Sequence, residues 1–264
     1  MIYSFAAMQN KNHELNVYST LQIGNFHTNN CEDFFINEKI STNDYVIAVL
    51  DGCTMGKEST FAAMLFGKIL RKIAKNKFYA ELITKEHIPI KQQLKAVLSE
   101  LFEEAKVIKN RLGLEKEELL STLILGIVNT TSLTAEFLAI GDGLIYVDGK
   151  SSHFEQDDKP DYLGYHLQAN FETWYTDQKQ FLSISHFKDL SICTDGIYTF
   201  KNFSNKNKQL SEKEIIAYLL TDKNDIIYPD FLALKIRQLQ TELNHILTDD
   251  LAIIRLVTSA SPFY

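Results

Sequence analysis

The sequence predicts an α+β protein in which two antiparallel sheets are stacked on each other and covered by pairs of helices. Three observations predict this arrangement. Apolar runs of strand length recur along the chain, and most are bounded by Asn, Asp, Gly or Ser. Four amphipathic helical patterns fall into two pairs, which separate groups of consecutive strands. Consecutive strands favour antiparallel sheets, and paired helices favour outer layers.

The apolar runs predict strands in an early, a middle and a late group. They cover residues 16–21, 34–36, 45–50, 122–128, 134–140, 144–147, 181–184, 190–193 and 251–257. Hairpins are expected where Asp-Gly pairs separate strands, because the type I′ turn favours Asp-Gly. We therefore interpret Asp142, which lies between two apolar runs, and Asp148, which follows one, as turn residues.

The helical patterns have recognisable starts. The first follows Ser59, and the second follows Pro89, a residue favoured in the first turn of a helix. The third begins at Ser211, whose spacing from Glu214 is that of a capping box. The fourth has apolar residues at 232, 236, 239 and 243, a spacing that places them on one helical face.

The composition indicates an ordinary globular protein. Of the 264 residues, 45% are hydrophobic and 23% are charged, which is enough apolar material for a substantial core. No internal repeat, low-complexity run or Pro/Gly-rich linker divides the chain, so residues 1–264 are predicted to form a single domain. The polar stretch 201–209 and the segment 157–165 are predicted to be loops, and the second could shape access to a site.

Charge and cysteine content narrow the cellular setting. The net charge of −7 argues against partners such as nucleic acid and anionic membranes, because both bind basic surfaces. No stretch is long and apolar enough to span a membrane, and the N-terminus lacks the basic start of a secretory signal. Three cysteines without a CxxC pair favour a reducing compartment, so we expect a cytoplasmic protein.

Asp51 and Asp195 differ from the other Asp-Gly pairs. Each follows a continuous apolar run, 46–50 or 190–193, and such a run is typical of a buried central strand. A carboxylate at the end of a buried strand is costly unless a positive group meets it. The glycine that follows lets the backbone pass close to whatever binds there. We therefore interpret both aspartates as site residues and not as turns.

Two acidic pairs begin strands, whereas the two aspartates above end them. The pairs are Glu32-Asp33 and Asp249-Asp250. If neighbouring strands run antiparallel, all four acidic clusters meet at one edge of the sheets. A divalent cation would relieve the repulsion among them, and oxygen-only ligands suit Mg²⁺ or Mn²⁺. No His lies beside the strand-end aspartates, so a zinc site is disfavoured there.

Taken in order, these motifs resemble the metal-dependent protein phosphatase family of the protein phosphatase 2C type. The resemblance spans residues 24–256 and is carried by Glu32-Asp33, Val49-Leu50-Asp51-Gly52, Ser121-Thr122, Gly141-Asp142, Thr194-Asp195-Gly196 and Asp249-Asp250. The opening from Gly24 to Asp33 is similar to a divergent bacterial branch. The resemblance implies a four-layer α-β-β-α sandwich, which agrees with the element order read from the residues.

The resemblance also implies a metal site. Asp51 would bridge two Mn²⁺ or Mg²⁺ ions, and the Gly52 carbonyl would bind one of them. Asp195 and Asp249 would bind the other. The implied activity is hydrolysis of phosphoserine and phosphothreonine in a protein substrate, by water that the ions activate for in-line attack. We expect a monomer, and a cognate kinase is left open as a second partner.

Further acidic residues complete the implied site. Glu32 and Asp33 would hold metal-bound water at the ions or next to them. Glu117, four residues before Ser121, is the nearest match to the ligand of a third ion that some members of the family bind. The resemblance therefore implies two or three ions.

Two positions depart from the family's pattern. Thr28 stands near the place where many members carry an Arg that grips the phosphate, and the neighbouring His27 could substitute for it. Cys53 stands where the animal branch places a His that donates a proton. His27 and Asp51 are therefore the catalytic candidates. The departures leave open a catalytically impaired relative that binds a phosphoprotein or partner and regulates it, and a phosphatase of small metabolites would have the same site.

Cys31, Cys53 and Cys193 each lie within two residues of a proposed site residue. We interpret them as small buried hydrophobic residues. The alternative is that their oxidation would disturb the metal ions.

Overall fold

Two five-stranded sheets form the centre of the protein. The computed structural model describes residues 14–27, 29–84, 88–154 and 161–259. The first sheet contains, in spatial order, β1 (Glu14–Gln22), β12 (Leu251–Ser259), β9 (Asp189–Cys193), β6 (Gly143–Val147) and β7 (Lys150–Phe154). The second sheet contains β2 (Phe34–Lys39), β3 (Asp44–Leu50), β4 (Leu123–Asn129), β5 (Thr134–Ile140) and β8 (Phe181–Ile184). Neighbouring strands in both sheets run antiparallel.

Helices cover the outer faces of the two sheets. They are α1 (Ser59–Thr84), α2 (Ile90–Leu112), α3 (Leu163–His166), α4 (Phe171–Asp177), α5 (Glu212–Leu220) and α6 (Phe231–Thr241). A small third sheet pairs β10 (Phe200–Lys201) with β11 (Ile246–Leu247). Among the helices of the described residues, none combines the length and the apolar character needed to cross a membrane.

Three hydrophobic cores separate the four layers. One core lies between α1, α2 and the second sheet, one lies between the two sheets, and one lies between the first sheet and helices α5 and α6. Strand β3 is buried on both faces: Val46 and Ala48 face the helices, whereas Ile47 and Val49 face the other sheet. This burial explains its continuous apolar run. The predicted α-β-β-α sandwich is confirmed.

Most predicted elements are present, with boundaries that move by a few residues. The capping box at Ser211 is confirmed, since its hydroxyl accepts from the Glu214 N–H and the Glu214 carboxylate accepts from the Ser211 N–H. The fourth helix ends at Thr241, so the predicted Leu243 lies beyond it. Segment 157–165 is not wholly a loop, because α3 begins at Leu163, which is buried; residues 157–160 lie outside the described residues.

The two Asp-Gly turns predicted in the middle of the chain have different outcomes. At Asp148-Gly149 the hairpin is confirmed, because Val147 pairs with Lys150 and both turn residues have positive φ. At Asp142 the predicted hairpin is wrong. Strands β5 and β6 belong to different sheets, so the chain crosses the sandwich there instead of folding back on its neighbour. The crossing carries Asp142 away from any turn between paired strands.

Candidate metal centre

The acidic residues singled out in the sequence lie at one end of the sandwich. Asp51 follows β3 and Asp195 follows β9. Strands β2 and β12 each begin directly after an acidic pair. Because the strands run antiparallel, starts and ends of neighbouring strands share an edge. The sheets have this antiparallel topology, and it brings the acidic clusters to the same end of the sandwich.

Three carboxylates form the centre of the cluster. One oxygen each from Asp51, Asp142 and Asp195 lies within 4.8 Å of the others, and all three side chains are partly buried. Each residue comes from a different strand end, which explains why the cluster has no compact sequence motif. Carboxylate oxygens at this spacing are ligands of the type that Mg²⁺ and Mn²⁺ prefer.

Asp33 extends the cluster into the protein interior. It is 3% exposed, and its Oδ2 accepts a hydrogen bond of 2.6 Å from the Thr194 hydroxyl. Its other oxygen, Oδ1, is buried and, among the described residues, has no donor when the neighbouring carboxylates are ionised. Asp51 can hydrogen-bond to Asp33 only while one of the two holds a proton. A buried carboxylate oxygen without a donor is costly. A cation, or a water molecule held by one, would satisfy this oxygen.

Burial is the main reason that the pKa values of the clustered carboxyl groups are raised, and neighbouring acids add to it. Burial raises the pKa of Asp33 to about 7, against the hydrogen bond from Thr194, which lowers it. Burial and the charges of Asp142 and Asp249 raise the pKa of Asp195 to about 7. Burial, followed by Asp33 and Asp195, holds the pKa of Asp51 well above its ordinary value. The neighbours that act most strongly on Asp51 and Asp195 are therefore other acids.

This arrangement fits a divalent cation. The donor set consists of oxygens, one buried oxygen lacks a partner when its neighbours are ionised, and burial followed by repulsion from Asp33 and Asp195 raises the pKa of Asp51. A cation would remove the repulsion and satisfy the orphaned oxygen together. The number and the identity of the ions remain a prediction.

Gly52 must be a glycine for steric reasons. A Cβ atom at this position would lie 2.1 Å from the Ser59 carbonyl oxygen and 2.8 Å from that of Glu32. The Gly52 N–H donates to the Glu32 carbonyl over 3.2 Å, which ties the loop after β3 to the acidic pair before β2. The close approach of these backbones positions Asp51, while the role of the Gly52 carbonyl as a metal ligand remains a prediction.

Asp250 braces the site, and Asp249 faces it. Asp250 is 2% exposed and accepts hydrogen bonds from the backbone N–H groups of Gly24 and Glu32. The Asp249 side chain is 48% exposed and adds negative charge near Asp195. Asp250 therefore has its oxygens occupied by the protein. Asp249 lies outside the three-carboxylate group and accepts from the Asp250 N–H over 2.9 Å, so its role as a metal ligand remains a prediction.

His27 points into the same acidic group. Its Nδ1 lies 2.8 Å from an Asp250 oxygen, and its Nε2 lies 3.6 Å from an Asp249 oxygen. Burial alone would lower the pKa of His27, but Asp250, Glu32 and Asp249 outweigh burial and raise it. The imidazole is positioned to carry positive charge at the edge of the site. The other half of this prediction, Thr28, lies outside the described residues.

Glu32 and Glu117 occupy different environments. Glu32 is 8% exposed, and its carboxylate accepts a hydrogen bond of 2.9 Å from the Thr54 hydroxyl. Glu117 is exposed in a short 3₁₀ turn, and its backbone carbonyl accepts from the Lys57 N–H. The three-carboxylate group contains Asp142 and does not contain Glu117. The metal-binding roles of both glutamates remain predictions.

Asp142 is the site residue that sequence reasoning missed. The residues around it, two apolar runs flanking Gly-Asp-Gly, are those of an ordinary hairpin. The available signal was its place in the ordered set of motifs, where Gly141-Asp142 already stood. The local sequence pattern predicts a turn, and that prediction hid the signal.

The three cysteines differ in burial: Cys193 is buried, whereas Cys31 and Cys53 are partly buried. Burial, followed by the charges of Asp33 and Asp250, raises the pKa of the Cys31 thiol, and burial raises that of Cys193. Both groups are therefore held as thiols, which react slowly. This supports the interpretation of these two cysteines as small hydrophobic residues. For Cys53, which is partly buried, the interpretation remains a prediction.

The chain was compared with known proteins. A sequence model of the protein phosphatase 2C family matches residues 26–247. No curated protein sequence matches the chain. A crystal structure of a bacterial serine phosphatase variant is similar over 93% of this chain and 99% of its own, with a TM-score of 0.62 and 14% identity.

Two further solved structures share the fold. The serine/threonine phosphatase of S. agalactiae matches 93% of this chain and 100% of its own, with a TM-score of 0.59 and 13% identity. The phosphatase domain of SpoIIE from Bacillus subtilis, solved with a fragment of its regulatory domain, matches 94% of this chain with a TM-score of 0.56 and 13% identity. This chain covers 64% of that SpoIIE chain. At these identities the similarity shows the fold, while the family match over most of the sequence shows the relationship: the chain belongs to the protein phosphatase 2C family.

Proposed function

We propose that the protein is a metal-dependent serine/threonine phosphoprotein phosphatase. The observation that carries the proposal is the group formed by Asp51, Asp142 and Asp195, whose carboxylate oxygens converge within 4.8 Å. The pKa values of Asp33 and Asp195, which burial and then neighbouring acids raise, add support, because a cation would stabilise the charged form of both groups.

The residues divide into those that hold ions and those that position them. Asp51, Asp142, Asp195 and Asp249 would hold two or three Mn²⁺ or Mg²⁺ ions. Bound ions would activate water as the nucleophile and neutralise charge on the phosphoryl oxygens. Asp33 would orient water at the centre through its unpaired Oδ1. No cysteine or serine nucleophile is required for such a reaction.

The surroundings of the site support a protein substrate. An open polar groove of about 370 Å³ lies beside it, with His27, Lys57 and the start of α1 at Ser59 among its lining residues. Such a groove would hold a peptide segment on one side of a phosphorylated residue. His27 would contact the phosphate in place of the arginine that the family pattern places nearby. We propose that the protein is monomeric and cytoplasmic and that it opposes a cognate kinase.

A second candidate function is regulation without efficient catalysis. The observation that favours it is the sequence itself, which has Thr28 near the usual arginine and Cys53 at the position of a proton donor. Such a protein would bind ions and a phosphoprotein but hydrolyse the ester slowly.

The test is hydrolysis of a phosphothreonine peptide and of an aryl phosphate with Mn²⁺. We expect activity in the native protein and a loss of about 10²- to 10³-fold in Asp51→Asn and Asp195→Asn, because these changes remove charge from where the ions act. Asp148→Asn is the matched control, since it alters an Asp-Gly pair in a hairpin, where Asn-Gly forms the same turn. It should retain full activity.

The outcome separates the two candidates. A native protein that is inactive with Mn²⁺ and shows no Mn²⁺-dependent rise in melting temperature contradicts the enzyme proposal. A melting shift without hydrolysis favours the regulatory alternative. Equal activity in Asp51→Asn and the native protein would place the reaction elsewhere.

A further inference from the structure

Thr194 lies where the two sheets meet at the metal centre. It follows β9 of the first sheet, directly precedes Asp195, and is 2% exposed. Its backbone N–H donates to the Ala252 carbonyl of β12 over 3.1 Å, so the residue is anchored in the first sheet. Asp33, in contrast, directly precedes β2 of the second sheet. A bond between Thr194 and Asp33 therefore joins the two halves of the site.

The hydroxyl of Thr194 does not cap the turn that follows it. Thr194 is the N-cap residue of the 3₁₀ turn Asp195–Tyr198, and a threonine hydroxyl at a helix N-cap commonly accepts from a backbone N–H of the helix. Here it makes no such bond. It accepts instead from the Ala252 N–H over 2.9 Å and donates to Asp33 Oδ2 over 2.6 Å. Two partners that are distant in the sequence therefore direct this hydroxyl.

These two bonds fix the direction of the hydroxyl proton. A hydroxyl has one proton to donate. Because the Ala252 N–H already donates to the oxygen, the proton points away from that group and towards Asp33. Asp33 is 3% exposed, so bulk water does not compete for Oδ2. The bond holds the carboxylate in one orientation, and Oδ1 is the oxygen left for a cation or for water bound to one.

Asp33 depends on a side chain for this orientation, whereas the other buried aspartate of the site does not. Asp250 accepts from the backbone N–H groups of Gly24 and Glu32, which a side-chain substitution does not remove. In the described part of the chain, the Thr194 hydroxyl is the donor that Asp33 keeps when the neighbouring carboxylates are ionised. Loss of this hydroxyl should therefore free the Asp33 side chain to rotate.

We propose that Thr194 is a positioning residue of the metal centre, whose hydroxyl holds one oxygen of Asp33 across the junction of the sheets and leaves the other oxygen for the ions or their water. The effect on hydrolysis rests on the proposed function, while the effect on metal binding is measured without catalysis. Removal of a group that orients a metal site commonly lowers metal affinity or activity by about 10- to 100-fold.

Two substitutions separate the hydroxyl of Thr194 from its methyl group. Thr194→Val removes the hydroxyl and keeps the shape, whereas Thr194→Ser keeps the hydroxyl and removes the methyl. We expect Thr194→Val to weaken Mn²⁺ binding by at least about 10-fold, and Thr194→Ser to bind Mn²⁺ as the native protein does. A Mn²⁺ titration of melting temperature, referred to the metal-free value of each variant, measures affinity separately from stability. A residue that served only in packing would give the reverse order.

Activity gives a second measurement. At saturating Mn²⁺, Thr194→Val should lower kcat for a phosphothreonine peptide and leave KM near its native value, because Asp33 is assigned to water and not to the peptide. Ser191→Ala is the matched control. Ser191 lies on β9, is fully buried, and has a hydroxyl without a hydrogen-bond partner among the described residues. Its removal should alter neither Mn²⁺ affinity nor kcat.

Two further variants test the route through Asp33 and guard against a folding defect. Adding Thr194→Val to Asp33→Asn should change Mn²⁺ affinity less than Thr194→Val changes it in the native protein, because residues in contact are not additive. Thr194→Cys keeps a weak donor and a weak acceptor, so its Mn²⁺ affinity should lie between those of Thr194→Val and Thr194→Ser. If Thr194→Val does not fold, the comparison of Thr194→Cys with Thr194→Ser decides.

The possible outcomes are distinct. Native Mn²⁺ affinity in Thr194→Val, equal affinities in Thr194→Cys and Thr194→Ser, or full additivity with Asp33→Asn would overturn this inference and leave the proposed function intact. A native protein that binds Mn²⁺ without hydrolysis would contradict the proposed function, while the affinities of the variants would still decide the role of Thr194. A native protein with neither hydrolysis nor a Mn²⁺-dependent melting shift would contradict both.

Discussion

Strand β3 begins at one aspartate and is directly followed by another, and the two carboxylates differ in the hydrogen-bond donors and charges around them. Asp44 opens the strand and is 1% exposed; it accepts from Gln93 over 2.7 Å, from Asn129 over 2.6 Å and from Ser41 over 2.8 Å. Asp51 follows the strand, and its strongest neighbours are Asp33 and Asp195.

The comparison separates a structural carboxylate from a functional one. Neutral donors from three segments surround Asp44, so its charge is stabilised by the protein alone. Asp51 is surrounded by acids, so the protein leaves its charge to be stabilised by something else. Burial is common to both residues, and only the chemistry of the partners tells them apart.

The largest expected effect on stability is at Asp44, the structural carboxylate. Asp44→Ala removes an acceptor from the Asn129 amide, the Ser41 hydroxyl and the Gln93 amide, the last of which keeps the Ile88 carbonyl, and we expect this to cost about 3 kcal/mol. For a chain of this size that lowers the melting temperature by roughly 6–12 °C. Hydrolysis by the folded fraction should be unchanged. If stability is unchanged, or if activity falls at a temperature where the variant is folded, the division between the two ends is wrong.

The second effect is the dependence of stability on metal ions and pH at the carboxylates around Asp51. The folded-state pKa values of Asp33 and Asp195 are raised to about 7, so between about pH 4 and 7 the metal-free native state binds more protons than the unfolded state. Their contribution to stability is therefore present at low pH and is lost as pH rises through 7.

Metal ions should reverse that trend, because they compete with the protons. At a Mn²⁺ concentration of 100 times the dissociation constant, stability should rise by about 2.7 kcal/mol. Calorimetry with and without a chelator should show a larger Mn²⁺-induced shift at pH 8 than at pH 6. A shift that is equal at both values would show that these carboxyl groups do not bind the ions. Asp195→Asn, which lacks one of the two titrating groups, should show a weaker pH dependence.

The smallest of these effects is expected at Asp142. Asp142→Asn should weaken Mn²⁺ binding by at least about 10-fold, as the loss of a group around a metal does, while activity at saturating Mn²⁺ falls less than in Asp51→Asn. A titration followed by melting temperature measures the affinity. Asp148→Asn again serves as the control. Identical Mn²⁺ affinities in the two variants would show that Asp142 is a turn residue and not a metal ligand.

The fold was largely predictable because its signals are local. Continuous apolar runs at β3 and β9 arise from burial on two faces, and the capping box at Ser211 is a contact between residues three apart. Strand β7 escaped prediction because it lies at the edge of its sheet and reads KSSHF, with little to bury. Helices α3 and α4 escaped because they are too short to show a period.

The candidate site was predictable in part. The aspartates at strand ends could be inferred, since a carboxylate after a buried strand needs a partner. The engagement of Asp250 by two backbone N–H groups could not, because those donors come from Gly24 and Glu32, more than two hundred residues away in the chain.

The sequence by itself determined the strands, the four long helices, the antiparallel layers and the acidic character of the site, because each depends on the polarity of neighbouring residues. Only the tertiary structure decided that Asp142 belongs to the site. Leu138 of β5 packs into the core beneath α1 and α2, whereas Leu144 of β6 packs into the core beneath α5 and α6. Burial of the two strands in different cores forces the chain to cross the sandwich, and the crossing places Asp142 beside Asp51 and Asp195.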